Sequence, residues 1–205
     1  MALLDYMQAK KLLDRYGIRS ADSAYVSSAD AAAKFAKGRK IALKLVSDKA
    51  LHKSKAGLVK LDLENDAAVT KAYDELVGLG KKLKPYKILA QNMAGAGVEI
   101  IIGGNTDKQF GKVLLVGLGG IYVETFKDVQ MRLCPITKMD AKEMLDGLES
   151  RKVVTYDGRS ENEVADLLMK VSKLLTENAK IAELDLNPVI VRPGSYDVVD
   201  IRILE

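Results

Sequence analysis

The chain has 205 residues, of which 48% are hydrophobic and 29% are charged, a composition typical of a globular protein with a substantial core. Its net charge of +4 is too small to indicate nucleic-acid binding, and its single cysteine, Cys134, excludes an internal disulfide and fits a reducing compartment. No apolar run approaches the roughly 20 residues of a membrane-spanning helix, and no secretory signal is evident, so we expect a cytoplasmic protein.

The first ninety residues predict a small layer of helices and strands. Helices are indicated by apolar residues at three- and four-residue steps and by capping residues, and strands by short apolar or alternating runs. In chain order, these elements are a helix that stops at Gly17, a helix capped by Ser28 that stops at Gly38, strands at 41–46 and 58–63, a helix from Asn65 or Asp66 to about Lys82, and a strand at 87–93. Residues 20–90 therefore predict a strand–helix–strand–strand–helix–strand unit.

The second half is richer in strands. Its predicted elements are strands at 98–104, 112–117 and 129–134, a helix started by Thr137 with Asp140, a helix from a capping box of Ser160 and Glu163 to about Asn178, and a closing hairpin. The fold class predicted from these elements is α+β.

The closing hairpin, IAELDLNPVIV followed by YDVVDIRIL, gathers candidate oxygen ligands. Asp185 and Asn187 are two residues apart on a strand and therefore share a face. A turn centred at Pro193–Gly194 pairs residues whose numbers sum to 387, which places Asn187 opposite Asp200. Two carboxylates and an amide oxygen suit Mg²⁺ bridging to substrate phosphates. The alternative is the solvated face of an edge hairpin.

A basic segment precedes the middle of the chain, with nine basic side chains and one acidic one between Lys34 and Lys60. Lys44 interrupts an apolar strand and must therefore reach solvent or meet an anion. The loop after it combines lysines with small residues, which let backbone N–H groups approach phosphate. This loop contains His52, Lys53, Ser54, Lys55 and Gly57. The segment fits a phosphate site, a polyanion site or a solvated face, and it contains no Walker A pattern.

Several other residues are weak signals when taken singly. His52, the single histidine, is typical of an exposed loop residue, and Cys134 is typical of packing because no second histidine or cysteine is there to activate it. Glu99 and Arg132 are charged residues within predicted strands. GLGGIYVE at 117–124 lacks the spacing of a dinucleotide fingerprint, and tight turns explain its glycines equally well.

Taken in order, these motifs resemble those of a known family. They are Lys44, HKSKAG, QNM, Glu99 with Gly103, DKQFG, GLGGIYVE, DVQMRLCP, and ELDLNP with Asp200. The chain closely resembles the ATP-grasp domain of the ADP-forming acyl-CoA synthetases, in particular the separately encoded beta subunit of the acetyl-CoA enzyme. It is more distantly similar to the beta subunit of succinyl-CoA synthetase. The resemblance covers essentially the whole chain.

The resemblance implies a single ATP-grasp domain over residues 1–205, in which a lid subdomain at 20–90 closes over nucleotide held on a larger nucleotide- and metal-binding subdomain formed by 1–19 and 91–205. It also implies roles for matching residues. These are Lys44 on the α- and β-phosphates; Lys53, Ser54, Lys55 and Gly57 in a loop over the phosphates; Gln91, Asn92 and Met93 as a hinge whose backbone reads adenine; Glu99 on the ribose hydroxyls; Arg132 as a further nucleotide ligand; Asn187 and Asp200 as metal ligands; and Asp185 near the docking site of a phosphohistidine.

The family's reaction converts acyl-CoA, ADP and phosphate reversibly into acid, CoA and ATP through an acyl phosphate and a phosphohistidine. The resemblance implies ATP or ADP and Mg²⁺ as cofactors, and a CoA-binding alpha subunit as partner in an α2β2 heterotetramer. His52 would relay the phosphoryl group from the alpha subunit to ADP. With no second histidine, the chain would be a catalytic half. Leu58 stands where the family often has a second glycine, which bears on how closely the backbone approaches phosphate.

Two alternatives stay open at this point. One is a nucleotide-binding regulatory or interaction module that keeps the fold without turnover. The other is an ATP-grasp ligase that joins a carboxylate to an amine or thiol, a route that needs no phosphohistidine and would make His52 incidental.

Overall fold

The structure is a computed structural model that describes residues 2–47, 57–120 and 128–205. The chain divides into two compact units, a smaller one of residues 21–93 and a larger one of residues 1–20 and 94–205. In chain order, the described elements are α1 (Tyr6–Arg15), β1 (Ser23–Val26), α2 (Ala29–Ala36), β2 (Ile41–Val46), β3 (Val59–Leu63), α3 (Asp66–Gly80), β4 (Lys87–Asn92), β5 (Val98–Asp107), β6 (Gly111–Leu118), β7 (Val129–Leu133), α4 (Lys138–Asp146), α5 (Arg151–Val154), α6 (Glu161–Glu177), β8 (Glu183–Arg192), β9 (Ser195–Val198) and β10 (Ile201–Leu204). Mixed helices and antiparallel sheets confirm the α+β class.

The smaller unit is a four-stranded antiparallel sheet in the order β1-β4-β2-β3, with α2 and α3 against one face. The helices begin where capping residues predict, since Ser28 accepts a hydrogen bond from the Ala31 amide and Asn65 accepts one from Ala68. Alternate residues of the central strands enter the core, among them Leu43 of β2 and Ala90 of β4. The intervening residues lie on the face away from the helices.

Strand β3 departs from the predicted alternation. Its register against β2 shifts between the pairs Ile41–Leu63 and Leu43–Lys60, and Asp62 in this stretch has a φ of 56°. Because of this bulge at a sheet edge, Leu61 is 56% exposed instead of half-buried. Leu58, just before β3, and Leu63, its last residue, pack in the core.

The larger unit is built on a six-stranded antiparallel sheet in the order β10-β8-β5-β6-β7, with β9 paired to β8. Helices α1, α4 and α6 cover one face. The side chains on this helix-covered face are fully or almost fully buried: Ile100, Ile102, Leu114, Val116, Leu184, Leu186, Ile201 and Ile203. Each such burial contributes about 1.5–3 kcal/mol. We call the opposite side the open face; it carries Glu99, Ile101, Gly103, Asp185, Asn187, Asp200 and Arg202.

Capping residues are predicted at the start of two helices in the larger unit, and a capping box forms at one of them. Thr137 and Asp140 form the predicted capping box at α4. The capping box predicted for Ser160 with Glu163 is wrong, because the Ser160 hydroxyl donates to the Arg192 carbonyl at 2.6 Å and accepts from the Gly194 amide at 3.2 Å. This serine therefore ties the start of α6 to the hairpin turn. None of the described helices has the length and apolar character needed to cross a membrane.

Candidate functional site

In the smaller unit, Lys44 and Gln91 lie on the same sheet face, away from α2 and α3. Lys44 pairs with Leu89 across β2 and β4, and Gln91, which is 1% exposed, pairs with Ala42. The two side chains are therefore diagonal neighbours, a spacing of about 7–8 Å between strands. Lys44 thus avoids the helix-side core. The structure brings together the predicted phosphate lysine and the first residue of the predicted hinge.

The predicted phosphate loop lies largely outside the described residues, including His52, Lys53, Ser54 and Lys55. Its described end is Gly57, whose φ of +86° is a left-handed conformation that favours glycine. Leu58 follows, buried in the core, and its carbonyl accepts from the Leu45 amide at 2.9 Å. The departure from the family at this position thus has a local structural reason, since Leu58 anchors the start of β3 in the core.

The hinge backbone is partly engaged within its own unit. The Asn92 amide donates to the Asp22 carbonyl at 2.9 Å, and the Met93 amide donates to the Lys40 carbonyl at 3.1 Å. Neither N–H group is therefore available to a base in this conformation. The Asn92 side chain donates to Asp22 at 3.4 Å. Its side-chain carbonyl oxygen is buried and has no hydrogen-bond partner among the described residues. What this segment offers a base is mainly acceptors.

In the larger unit, the register predicted for the closing hairpin is confirmed. The pairs Val189–Val198 and Leu186–Ile201 both follow the predicted sum and flank Asn187 and Asp200. Asn187 therefore faces Asp200 in the gap between β9 and β10. The Val199 amide closes this gap by donating to the Pro188 carbonyl at 3.0 Å.

A bulge in β8 shapes this position further. Against β5, β8 pairs Val189 with Ile100 and Leu186 with Ile102, so two residues of β8, Asn187 and Pro188, stand opposite Ile101 alone. A bulge of this kind re-aims side chains and is frequent beside active sites. The alternation of buried and exposed residues along β8 shifts by one position here, and Asn187 is exposed on the open face. The bulge was not predicted, because a run such as LDLNPVIV alternates without showing the extra residue.

The predicted site residues of the larger unit form a row along the open face. On β5, Glu99, Ile101 and Gly103 are successive residues on this side, with Ile101 level with Asn187 and Gly103 paired with Asp185. At about 3.4 Å per residue, each step between levels is roughly 7 Å. The order along the row is thus the Glu99 carboxylate, then the Asn187–Asp200 pair, then the Asp185 carboxylate.

Beside Asp185 the open face has a shallow depression of about 250 Å³. Its apolar walls include Ile101, Leu115 and Met131, while Glu183 and Asp185 supply carboxylates. A flat ring with a polar edge fits such chemistry, because apolar walls pack on its faces and carboxylates accept from its N–H groups. The depression therefore continues the row beyond the Asn187–Asp200 pair.

A larger depression of about 320 Å³ lies away from this row, lined by Arg15, Tyr16, Lys170, Lys173 and Glu177. Its lysines already have acidic partners, Asp166 at 2.7 Å from Lys170 and Glu177 at 3.9 Å from Lys173. We assign it no part in the candidate site.

Two arginines of the larger unit lie on opposite faces of its sheet. Arg132 pairs with Leu114 on the helix-covered face, and its guanidinium lies 3.4 Å from the Glu143 carboxylate of α4, so the structure does not bring it to the row. Arg202, which sequence reasoning missed, is exposed on the open face directly across from Asp185, and its guanidinium lies 3.7 Å from Glu183. The hairpin sum that paired Asn187 with Asp200 also pairs residues 185 and 202 and could have found it.

The donor set fits a magnesium ion shared with a ligand. Within the described ranges, no group of three or more His, Cys, Asp or Glu side chains could hold a metal ion. Asn187 and Asp200 supply one amide and one carboxylate oxygen. Mg²⁺ is commonly bound by one or two carboxylates together with substrate phosphates and waters, so this pair of protein oxygens is chemically suitable for it.

A family model described as the ATP-grasp domain matches residues 1–204. The chain belongs to this family. The beta subunit of ADP-forming acetate–CoA ligase I of Pyrococcus furiosus is 34% identical, with 96% of this chain and 89% of that subunit covered. The ADP-forming acetate–CoA ligase I of Archaeoglobus fulgidus is 38% identical over 94% of this chain, which spans 30% of that longer protein.

Solved structures confirm the predicted ATP-grasp fold. The dinucleotide-forming acetyl-coenzyme A synthetase 1 of Ca. Korarchaeum cryptofilum, in complex with coenzyme A and Ca-AMPCP, superposes with a TM-score of 0.91 at 36% identity, covering 98% of this chain and 93% of that chain. A second structure of that synthetase, with coenzyme A and Mg-AMPPCP, has a TM-score of 0.84 at 35% identity, covering 98% and 92% of the two chains. In it a phosphohistidine segment points towards the nucleotide-binding site.

Proposed function

We propose that this ATP-grasp chain is the nucleotide-binding beta subunit of an ADP-forming acyl-CoA synthetase. Acting with a CoA-binding alpha subunit, in an α2β2 assembly in the cytoplasm, it completes the conversion of acyl-CoA, ADP and phosphate into acid, CoA and ATP. The observation that carries the proposal is the row on the open face, because its order matches a ribose, a metal-bound phosphate chain and a phosphoryl donor.

In this proposal residues 20–90 serve as the lid subdomain. The Lys44 ammonium offsets charge on the α- and β-phosphates, and the Glu99 carboxylate accepts from the ribose hydroxyls. The adenine amino group donates to hinge acceptors between Gln91 and Met93, since the Asn92 and Met93 amides are already engaged. Lys53, Ser54, Lys55 and Gly57 close over the phosphates.

Asn187 and Asp200 would hold the Mg²⁺ ion in this account. When bound, Mg²⁺ neutralises charge on the phosphate oxygens. The contribution of the chain is to present two oxygens on one face at a fixed spacing. The β8 bulge aims Asn187, and the Val199–Pro188 hydrogen bond holds the two strands together beside the pair. Pre-organised ligands of this kind lower the cost of ordering the site on binding.

Phosphoryl transfer would then run through two imidazoles. The N–P bond of the partner's phosphohistidine breaks as an N–P bond forms at His52, and that bond breaks in turn as the terminal phosphate of ATP forms on ADP. A neutral imidazole suits this role because its pKa lies near neutrality. Asp185 accepts a hydrogen bond from one ring N–H of the incoming histidine. The other ring nitrogen of that histidine carries the phosphoryl group. Arg202, across from Asp185, balances charge beside the transferred group.

A reconstitution experiment tests the proposal. The chain is combined with an alpha-type subunit, acetyl-CoA, ³²P-phosphate, ADP and Mg²⁺, and labelled ATP is measured together with acid-labile label on each chain. We expect ATP only when both chains are present, and label on His52 when ADP is withheld. His52→Ala should lower ATP formation by at least about a thousandfold, as loss of a covalent nucleophile does. Full ATP synthesis by His52→Ala would exclude the relay, and nucleotide binding without any turnover would favour a regulatory module.

A further inference from the structure

The GLGG stretch, residues 117–120, has no role in the proposed function. Its last two glycines lie directly against Glu99. The Gly119 amide donates to the Glu99 carbonyl at 2.7 Å. A Cβ atom at Gly119 would lie 2.9 Å from the carbonyl carbon and oxygen of Glu99, a distance that real Cβ atoms essentially never show. Gly119 is therefore needed for the backbone of Glu99 to take its place at the start of β5.

The next glycine meets the side chain of the same residue. Gly120 has a φ of +68°, and a Cβ atom there would lie 3.1 Å from a carboxylate oxygen, Oε2, of Glu99. A side chain at this position would have to displace the carboxylate by a few tenths of an ångström. Because Gly120 has no side chain, there is room beside it for this carboxylate oxygen.

Other glycines with positive φ in the described ranges do not share this feature. Gly38, Gly111 and Gly158 have φ values of +75°, +80° and +83°, and nothing lies within 4 Å of a Cβ built on any of them. Backbone conformation alone accounts for glycine at those three turns. At Gly120 a second requirement is added, which is room for the Glu99 carboxylate.

We propose that the Gly119–Gly120 turn is a positioning element that fixes the Glu99 carboxylate for the ribose of the bound nucleotide. The inference rests on the proposed function, which assigns the ribose to Glu99. Glu99 is exposed, and an exposed glutamate samples several rotamers. A turn that holds its backbone and leaves room for its carboxylate beside Gly120 keeps this position open to the side chain before the ligand arrives. Both carboxylate oxygens are then ready to accept from the two ribose hydroxyls.

The test compares ADP with 2′,3′-dideoxy-ADP, which lacks both ribose hydroxyls, by calorimetric titration of the full chain with Mg²⁺. The wild-type chain should prefer ADP by about tenfold to a hundredfold, the usual worth of hydrogen bonds to a charged group. Gly120→Ala should reduce this ratio to within about threefold of unity while the affinity for 2′,3′-dideoxy-ADP stays near the wild-type value. Glu99→Gln should reduce the ratio in the same way.

Gly158→Ala is the matched control, because it places an alanine at a positive φ of +83° with no atom of the described residues within 4 Å of its Cβ. It should keep the wild-type ratio. A wild-type ratio in Gly120→Ala would overturn the inference, and so would equal loss of both nucleotides, which would assign the turn a general role in folding. A wild-type chain that binds both nucleotides equally would remove the ribose role of Glu99 and leave nucleotide binding intact. A chain that binds neither would overturn the proposed function itself.

Discussion

The two faces of the six-stranded sheet differ in chemistry although the same strands form both. On β5, Ile100 and Ile102 are fully buried beneath the helices, while Glu99 and Gly103, on either side of them in the strand, occupy the open face. The helix-covered face is mainly aliphatic and supplies stability. The open face carries the acidic and amide side chains of the site, and these can change without opening a cavity. One strand therefore separates folding from function at alternate residues.

The largest effect should come from truncating a buried side chain on the helix-covered face, and it should be a loss of stability. Ile102→Ala removes a fully buried side chain and should lower the free energy of unfolding by about 2–5 kcal/mol. Ile101→Ala, one residue away on the open face, should lower it by about 1 kcal/mol or less. Urea denaturation of both variants measures the difference. Equal destabilisation would contradict the division of the sheet into two faces.

The next effect should be the loss of metal–nucleotide binding on the open face. Asn187→Ala combined with Asp200→Ala should weaken Mg²⁺–ADP binding by about a hundredfold, since both protein oxygens of the ion are removed. The free energy of unfolding should change little because neither side chain lies in the core. Calorimetry with and without EDTA checks the account: removing Mg²⁺ should bring the wild-type chain to the affinity of the double variant. Unchanged affinity in the double variant would exclude these residues as ligands.

A smaller effect, on the rate of phosphoryl transfer, should follow replacement of Arg202 and not of other exposed arginines. Arg202→Ala should slow phosphoryl transfer from a phosphorylated alpha-type subunit to ADP by about tenfold, because the cation across from Asp185 is lost. Single-turnover quench measurements give this rate. Arg159→Ala, an exposed arginine beside Tyr156, is the control and should transfer at the wild-type rate. Equal rates in both variants would leave Arg202 without a role in transfer.

The smallest effect concerns Asp128, an acid that supports the helices. Partial burial favours a raised pKa, but hydrogen bonds from Ser150 and from the Glu149 amide outweigh it and hold the pKa of Asp128 below its usual value. Its stabilisation is therefore complete above the unfolded pKa of about 3.9 and is lost as the pH falls through the lower folded value. Asp128→Asn should cost about 1 kcal/mol at pH 7, because the hydrogen bonds from Glu149 and Ser150 lose their charged acceptor.

Urea denaturation at pH 7 and at pH 3 would check this pH dependence. The stability difference between wild type and Asp128→Asn should shrink at the lower pH, where the wild-type carboxyl begins to be protonated. A difference that grows as the pH falls would contradict the direction of the pKa shift.

Sequence patterns predicted most of the fold because local signals and tertiary packing agree. The hairpin shows this clearly: its turn at Pro193–Gly194 fixes a register that continues through β9 and β10. The prediction for Ser160 was wrong because a serine before a helix has two possible uses, and here its hydroxyl bonds the hairpin turn. Local sequence does not show that the turn lies beside it.

The site could be predicted only in part, for reasons that are also local. Register arithmetic placed Asn187 across from Asp200, but the bulge that aims Asn187 arises from pairing with β5, a strand some eighty residues earlier. Arg132 and Arg202 look alike in sequence, each inside an apolar strand. Which face each one takes depends on the phase of its strand against its neighbour, and this phase is a property of the assembled sheet.

In the proposed function, the open face of the larger unit holds the metal–nucleotide complex. Replacing Mg²⁺ by Mn²⁺, which accepts the same oxygen ligands, makes the ion paramagnetic and broadens the NMR signals of nearby amides. With Mn²⁺–ADP bound, we predict the strongest broadening at Asn187, Asp200 and Ile101, with weaker broadening across α6 on the helix-covered side. Strongest broadening anywhere else in the larger unit, or none at these three residues, would contradict the account.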